Sequence, residues 1–522
     1  FKKAFDMISR KALLYKLLQN KIGGRFYRII KDMYMNDTIS IKINGKLSQP
    51  IMCGKGVRQG DGLSSTLFNI FINDIAQIFN ENDSNPAYID DLCIGSLLYA
   101  DDLVILSESA KGLQISLNKL SNYCKKWNLK VNTKKTQIVI FNSKSDKFGP
   151  FKFENDKINI VHYYKYLGIE IHRSGSFHKT IENICAKGLK AMFSMEKSLK
   201  CNTFVPISIH IKTFDAVIKP ILLYSSEIWG LDLLHNKENY TESVIDDRSR
   251  LETTHMRFCK RLLRVPTTSS NIAVRSELGR MPLLYNVVTQ IIKYYVRLEN
   301  LSNHRLLKRT YEKVKTNKFS IKYIANHYLS KCGISYSEND FTNKDKCKKI
   351  TSEFKDNWYT HMEQEWYNKL NSHLGPSGKR NKLRLYNRIK KSLSLEPYLE
   401  NVVDPASRQC LTKLRIGSHI LAIEKERSKK PTPNTDTLRQ RICKFCTNNK
   451  VENEYHFVMD CTLYNNERND LFSKLSIDLN LSNNIDIFLS LFKCSNHLYT
   501  VPFSNYISDL FKKRMEYSST VN

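Results

Sequence analysis

No stretch of this 522-residue chain approaches the 18 or so consecutive apolar residues of a membrane span, so no membrane partner is expected. Internal repeats and long low-complexity tracts are also lacking. The chain therefore reads as a series of ordinary domains, roughly three or four by length. Acidic residues are scarce against basic ones: 51 Asp and Glu face 82 Lys and Arg, a formal charge of +31. An excess of that size drives binding to phosphate backbones by counterion release. The 13 cysteines are scattered and odd in number, which argues against a disulfide framework and for reduced intracellular thiols. No ribonuclease H constellation and no endonuclease motif is present. What the chain does have is 41% hydrophobic residues, enough for real cores.

One acidic pair stands out inside an apolar run, Ile94-Gly95-Ser96-Leu97-Leu98-Tyr99-Ala100-Asp101-Asp102-Leu103-Val104-Ile105-Leu106. Carboxylates at the lip of a sheet are costly unless paired or metal-bound, so Asp101 and Asp102 are candidate Mg²⁺ ligands. The plain alternative is a surface hairpin turn, for which Asp-Asp is an ordinary dipeptide. Upstream, Gly56-Val57-Arg58-Gln59-Gly60-Asp61-Gly62-Leu63-Ser64 is a glycine-punctuated loop running into the apolar segment Leu67-Phe68-Asn69-Ile70-Phe71-Ile72. Glycines there let backbone approach a ligand closely. Gln59 can hydrogen-bond a base or sugar. At the amino end stands Phe1-Lys2-Lys3-Ala4-Phe5-Asp6, followed by a helix-start signal at Ser9 and the pattern Leu13, Leu14, Leu17, Leu18.

These three elements in this order resemble the reverse transcriptases of non-LTR retrotransposons, the LINE and jockey-like class. The resemblance is close over 1–171 and looser to the carboxyl end. It implies an α+β fold: a right-hand polymerase palm whose acidic hairpin lies at the centre of an antiparallel sheet backed by helices, then a helical thumb and a small zinc-binding carboxyl-terminal region. In that family the first motif opens on a metal-binding Asp, which falls on the residue preceding Phe1. The chain therefore reads as an amino-terminally truncated fragment, expected not to extend a primer.

Other positions carry over one at a time. Phe5 falls where the family places an aromatic under the incoming sugar, and a core aromatic is its alternative reading. Gly56, Arg58, Gln59 and Gly60 match the second motif, although Ser65 stands where the family usually has Pro. Tyr99, Asp101 and Asp102 match the third. Trp127-Asn128-Leu129-Lys130-Val131-Asn132-Thr133-Lys134-Lys135-Thr136 matches the fourth, with Lys135 at a phosphate-contacting position or simply solvated. Tyr166-Leu167-Gly168-Ile169 resembles the hairpin that grips the primer end. The implied chemistry is nucleotidyl transfer from a deoxynucleotide to a primer 3′-hydroxyl with two Mg²⁺, on template RNA with a primer or target DNA. The implied setting is a cytoplasmic ribonucleoprotein and the nucleus.

A separate group, Cys443-x2-Cys446 with His456-x4-Cys461, has the donor set of a closed structural zinc site. Buried cysteines and a satisfied histidine are the alternative. The same arrangement, with Leu414-Arg415-Ile416-Gly417-Ser418-His419 before it and Arg468 after it, resembles the zinc-binding module of jockey-like reverse transcriptases.

The expected organisation is fingers and palm over 1–171, a helical thumb over 172–300, a basic helical connector over 301–400, the zinc-binding region over 401–480 and a helical tail over 481–522. Lys344-Asp345-Lys346-Cys347-Lys348-Lys349 and the segment 378–391 are the candidate phosphate-contacting clusters. Two other classes fit the same features: a non-catalytic nucleic-acid-binding remnant of a retroelement, and a group II intron maturase-like polymerase, which would not call for the zinc group.

Overall fold

The computed structural model describes residues 1–142, 148–200, 205–235, 248–318, 320–337, 340–341, 343–372, 382–425, 441–477 and 483–520. It divides into two compact units, the first made of Phe1–Phe177 with Ser302–Thr316, the second of His178–Leu301 with Asn317–Asn522.

In the first unit, helix α1 (Arg10–Gln19) starts where Ser9 accepts a hydrogen bond from the Ala12 amide, satisfying one of the orphan donors of a helix start. Its Leu13, Leu14 and Leu17 share a buried face. They meet Phe68, Phe71 and Ile72 of α2 (Ser64–Ile72) and Leu117, Leu120 and Trp127 of α3 (Ala110–Trp127) in one core. Helix α3 is capped by Ser109 and ends at Asn128 in the left-handed region, where Asn is tolerated. Lys16 is buried among these helices, its ammonium on the Phe71 carbonyl (2.7 Å), Asp74 (2.6 Å) and the Tyr123 hydroxyl (2.8 Å), 4.0 Å from the Trp127 ring centroid. A buried lysine so fully partnered is a structural tie.

The strands are short. The acidic hairpin is β1 (Ser96–Tyr99) and β2 (Asp102–Ile105), paired antiparallel with Tyr99 opposite Asp102. A second antiparallel hairpin joins β3 (Tyr163–Tyr166) to β4 (Ile169–His172) through Leu167 and Gly168. Both turn residues have positive φ, as a two-residue turn between right-twisted strands requires. The expectation of an acidic hairpin at the centre of one antiparallel sheet is corrected here. Among the described residues β1 and β2 pair only with each other, and the one three-stranded sheet contains a parallel pair, Asn159–Val161 with Gln137–Val139. Phe1 and Lys2 run beside the hairpin, each held by a single hydrogen bond, to the Asp101 and Lys130 carbonyls respectively, and a helical turn begins at Ala4.

The second unit is helical, including α4 (His178–Lys200), α5 (Arg250–Leu262), α6 (Leu283–Glu299), α7 (Lys344–Asn371), α8 (Pro405–Arg415) and α9 (His497–Thr520). Helix α5 is capped by Ser249 and ends before Pro266. In α7 Cys347, Ile350, Phe354, Trp358, Met362, Trp366 and Leu370 recur at three- and four-residue spacing and are buried. Arg415 is fully buried and ion-pairs Glu277 (3.1 Å) and Glu396 (2.5 Å), joining helices far apart in sequence. No described helix is long and apolar enough to cross a membrane.

Within the basic clusters, Lys344, Lys349, Arg388 and Lys391 are exposed, whereas two cations are engaged inside the unit. Residues 378–381 lie outside the described residues. In the remainder of 378–391, Arg384 is held by Glu424 and Glu454 (2.6 Å each), and Lys390 is buried on Glu396 and the Ser394 carbonyl. Those two cations stabilise the unit's interior; a phosphate would find them already neutralised. In 344–349, Lys346 and Lys348 ion-pair Asp340 and Asp345 at the surface.

Candidate active site and metal centre

The turn between β1 and β2 consists of Ala100 and Asp101, with Ala100 at φ 51°. A two-residue hairpin turn needs positive φ at its first position, where glycine is usual. Alanine there costs about 1 kcal/mol or more, strain of the kind that collects at functional sites. Asp101 is half-buried, Asp102 is exposed, and Tyr99 is 64% exposed.

The beginning of the chain lies against this turn. The Phe1 nitrogen donates to the Asp101 carbonyl at 2.9 Å, and the Lys2 amide donates to the Lys130 carbonyl at 2.7 Å. The third and fourth motifs thus meet the first within two residues. On the hairpin β3–β4, burial raises the Tyr164 and Tyr166 phenols above their ordinary value, and the nearby Asp102 carboxylate raises them further. Asp102 therefore faces the hairpin carrying Tyr166.

The second motif joins the first through the backbone. The Val57 amide donates to the Phe5 carbonyl (2.9 Å) and the Gly56 amide to the Ile8 carbonyl (2.8 Å). Gly56 has φ +79°, and a Cβ there would lie 2.9 Å from both the Phe5 and Asp6 carbonyl oxygens. Only glycine fits so close an approach. Gln59 donates to the Asp6 carboxylate at 2.7 Å and is otherwise exposed, as is Gly60 at φ +88°. Phe5 is half-buried and stacked on Phe68, centroids 4.7 Å apart. Arg58 is engaged away from the loop, its guanidinium on Asp37 (3.0 Å) and the Met33 carbonyl (2.9 Å). Lys135 is exposed in the turn that follows Asn132. Reading the sequence missed Arg10, which is buried and binds the Gly56 carbonyl (3.1 Å), the Tyr34 and Cys53 carbonyls and Asp37 (2.6 Å). Its only sequence signal is a basic residue among the apolar positions of α1.

The Cys/His group assembles in the second unit. Cys443, Cys446, His456 and Cys461 bring one ligand atom each to within 4.8 Å of the others. Cys443 Sγ lies 3.9 Å from Cys461 Sγ, and Cys446 Sγ lies 3.4 Å from His456 Nε2. A tetrahedron with 2.3 Å metal–sulfur bonds has edges of about 3.8 Å, so these two spacings are close to those of a zinc site and the wider ones need only a small contraction. The knuckle is closed by the bridge between Ile442 and Val451 and by the Cys443 amide on the Lys450 carbonyl (2.9 Å). Arg468 braces the other side, donating to the Cys461 carbonyl (2.7 Å) and the Val458 carbonyl (3.0 Å). Phe445, between the two knuckle cysteines, is covered by the Arg514 guanidinium at 4.6 Å, itself held by Glu452 (2.8 Å). The group is thus built into the packing of α9. Of the preceding motif, Gly417 has φ +64° beside the Lys382 carbonyl, and His419 binds Glu454 at 3.0 Å.

Residues 1–171 match the family model described as reverse transcriptase (RNA-dependent DNA polymerase). Among similar proteins, the RNA-directed DNA polymerase from mobile element jockey of Drosophila funebris is 25% identical over 234 residues, 44% of this chain and 25% of that protein. The probable RNA-directed DNA polymerase from transposon BS of Drosophila melanogaster is 25% identical over 257 residues, 47% of this chain and 27% of that protein. A Pol polyprotein from a type-1 retrotransposable element R2 of Nasonia vitripennis is 29% identical over 184 residues, 33% of this chain and 18% of that protein. The chain spans about a quarter of the length of the curated relatives it matches first.

Proposed function

Residues 1–171 belong to the reverse-transcriptase family, of the kind carried by jockey-like non-LTR retrotransposons, and on that premise we propose that the chain carries the palm of an RNA-directed DNA polymerase whose metal-binding acids include Asp101 and Asp102. Its substrates are deoxynucleotides, a template RNA and a primer or target DNA. Its setting is a retroelement ribonucleoprotein that moves from cytoplasm to nucleus. Mg²⁺ held at these acids would supply the positive charge that phosphoryl transfer needs at the primer hydroxyl and the leaving oxygen.

Two carboxylates cannot hold two such ions alone, since each prefers six oxygens, several from water and substrate phosphate. The observation that carries the reading is the Phe1 nitrogen at 2.9 Å from the Asp101 carbonyl. An Asp joined ahead of Phe1 would set its carboxylate beside the acidic turn. The other residues act by position. Phe5, fixed by Phe68, lies under the sugar of the incoming nucleotide. Gln59, oriented by Asp6, and Gly60 line its approach, Tyr99 stands exposed beside the acids, and Lys135 is within the basic loop that meets phosphate. Arg58 contributes by fixing the loop through Asp37. In the second unit, Cys443, Cys446, His456 and Cys461 hold a structural zinc ion.

Primer extension on an RNA template with Mg²⁺ tests the polymerase reading. The 522-residue chain is expected to give no detectable product, and the same chain with one Asp added before Phe1 is expected to extend the primer. That gain should vanish on Asp101→Asn. Failure of the lengthened chain to extend the primer, or extension that survives Asp101→Asn, overturns the assignment, whereas robust extension by the unaltered chain overturns the requirement for an acid ahead of Phe1.

A further inference from the structure

We propose a second nucleic-acid site, on the exposed face shared by α4 and α5, where Phe193 stacks against an unpaired base of a single strand. The site lies wholly within the second unit and does not depend on polymerase activity.

Phe193 is 41% exposed on α4. Two guanidinium groups from α5 flank its ring, Arg257 at 5.6 Å and Arg261 at 5.2 Å from the centroid. Arg261 is fixed there by Glu196, at 2.9 and 3.2 Å from its Nε. Exposed aromatic surface costs free energy in water; the two guanidinium groups lie over the ring, yet 41% of the residue stays exposed. Along the same helix Lys187 and Lys190 are exposed, about two turns and one turn before Phe193 respectively. On α5, Arg257 is exposed and Arg264 follows just past the helix end, while Arg261, neutralised by Glu196, positions the ring and adds no free charge. Lys187 to Phe193 spans about 9 Å of helix, room for successive phosphates of one strand.

A basic track interrupted by a partly exposed aromatic ring is the chemistry of single-strand recognition, in which lysines and arginines follow the backbone and the exposed part of the ring takes a base. A duplex would meet the same cations but has no free base face for the ring. The geometry therefore favours a single strand, and the sugar does not enter the argument, so RNA and DNA are both candidates.

The test is binding of fluorescein-labelled U12 RNA, dT12 DNA and a blunt RNA duplex to the full chain at about 0.3 M salt, where non-specific attraction is weakened. A 4-thiouridine-substituted U12 probe would map the contact by photocrosslinking. Phe193→Ala is expected to weaken single-strand binding roughly five- to a hundredfold, to leave duplex binding within twofold, and to lose the crosslink in the α4 peptide. Phe193→Trp should restore all three. Lys187→Gln with Lys190→Gln should weaken single strand and duplex alike. RNA and DNA arms that differ identify the strand preferred. The proposal is overturned if Phe193→Ala leaves single-strand affinity within twofold of the parent, if it weakens the duplex as much as the single strand, or if the crosslink maps outside α4 and α5. Because this readout is binding, failure of primer extension leaves it standing, and its own failure leaves the polymerase reading untouched.

Discussion

Replacing Cys461 by serine removes one donor from a group whose four ligand atoms already lie within 4.8 Å of one another. With the Cys443–Cys461 and Cys446–His456 spacings at 3.9 and 3.4 Å, zinc entry needs little rearrangement, so the affinity should lie in the range of structural sites. An apparent binding energy of about 12 kcal/mol corresponds to a nanomolar Kd. At roughly 1 µM free zinc, about a thousandfold above that Kd, the ion would stabilise the folded second unit by about 4 kcal/mol. At about 2–4 °C per kcal/mol for a large domain, chelation or Cys461→Ser should lower the melting temperature of that unit by roughly 8–16 °C. The first unit, which holds none of the four ligands, should melt unchanged. Scanning calorimetry with and without a strong chelator, paired with elemental analysis, reads both effects. Serine loses the thiolate but keeps nearly the same volume, so repacking would not produce the shift. Less than about 0.2 zinc per chain after refolding with the metal, or a Cys461→Ser protein with an unchanged melting profile, would refute the reasoning.

Two further outcomes follow from the geometry. Gly56→Ala would place a Cβ 2.9 Å from two carbonyl oxygens at φ +79°; strain of about 1–2 kcal/mol and backbone displacement of about 1–3 kcal/mol predict a clear fall in urea midpoint, and an unchanged midpoint would show that the two motifs are not in close contact. Asp215 is half-buried, which alone would raise its pKa, but Arg280 (2.7 and 2.8 Å) and Lys219 (3.0 Å) outweigh burial and hold it below the ordinary value. A depressed folded pKa contributes stability above about pH 3.9 that is lost as pH falls below it. Asp215→Asn should therefore flatten the acid limb of the stability curve below about pH 4, and an acid limb identical to the parent's would exclude this pair as a contributor.

What the sequence made legible was local. Ser9 before a leucine pattern marked the start of α1, and Gly56 of the second motif lies where backbone meets backbone. The Cys443–Cys461 spacing marked a group that the fold brings together. What it could not show depends on partners distant in the chain. Arg384 and Lys390 read as phosphate contacts because Glu454, 70 residues on, and Glu396 do not advertise themselves as their partners. The antiparallel sheet around the acidic hairpin was expected from the resemblance alone, and strand partners of that kind depend on distant segments that no local pattern announces. Arg10 was overlooked for a similar reason: three of its acceptors are backbone carbonyls, which leave no mark in a sequence.

The excursion of Ser302–Thr316 into the first unit bears on how this protein can be dissected. The family match ends at residue 171, which invites excision of the palm at that point. A piece cut there would lack the helix Leu306–Val314, whose Lys313 ion-pairs Asp91 and lies 4.0 Å from Asp90 on the hairpin Ala87–Ile94. Leu92 and Asp91 there line a surface pocket together with Asn303, Lys308 and Arg309, and excision would remove one wall of it. Isolated catalytic fragments need the later segment supplied in trans or grafted by a linker, and a proteolytic map should show 302–316 protected together with the amino-terminal half.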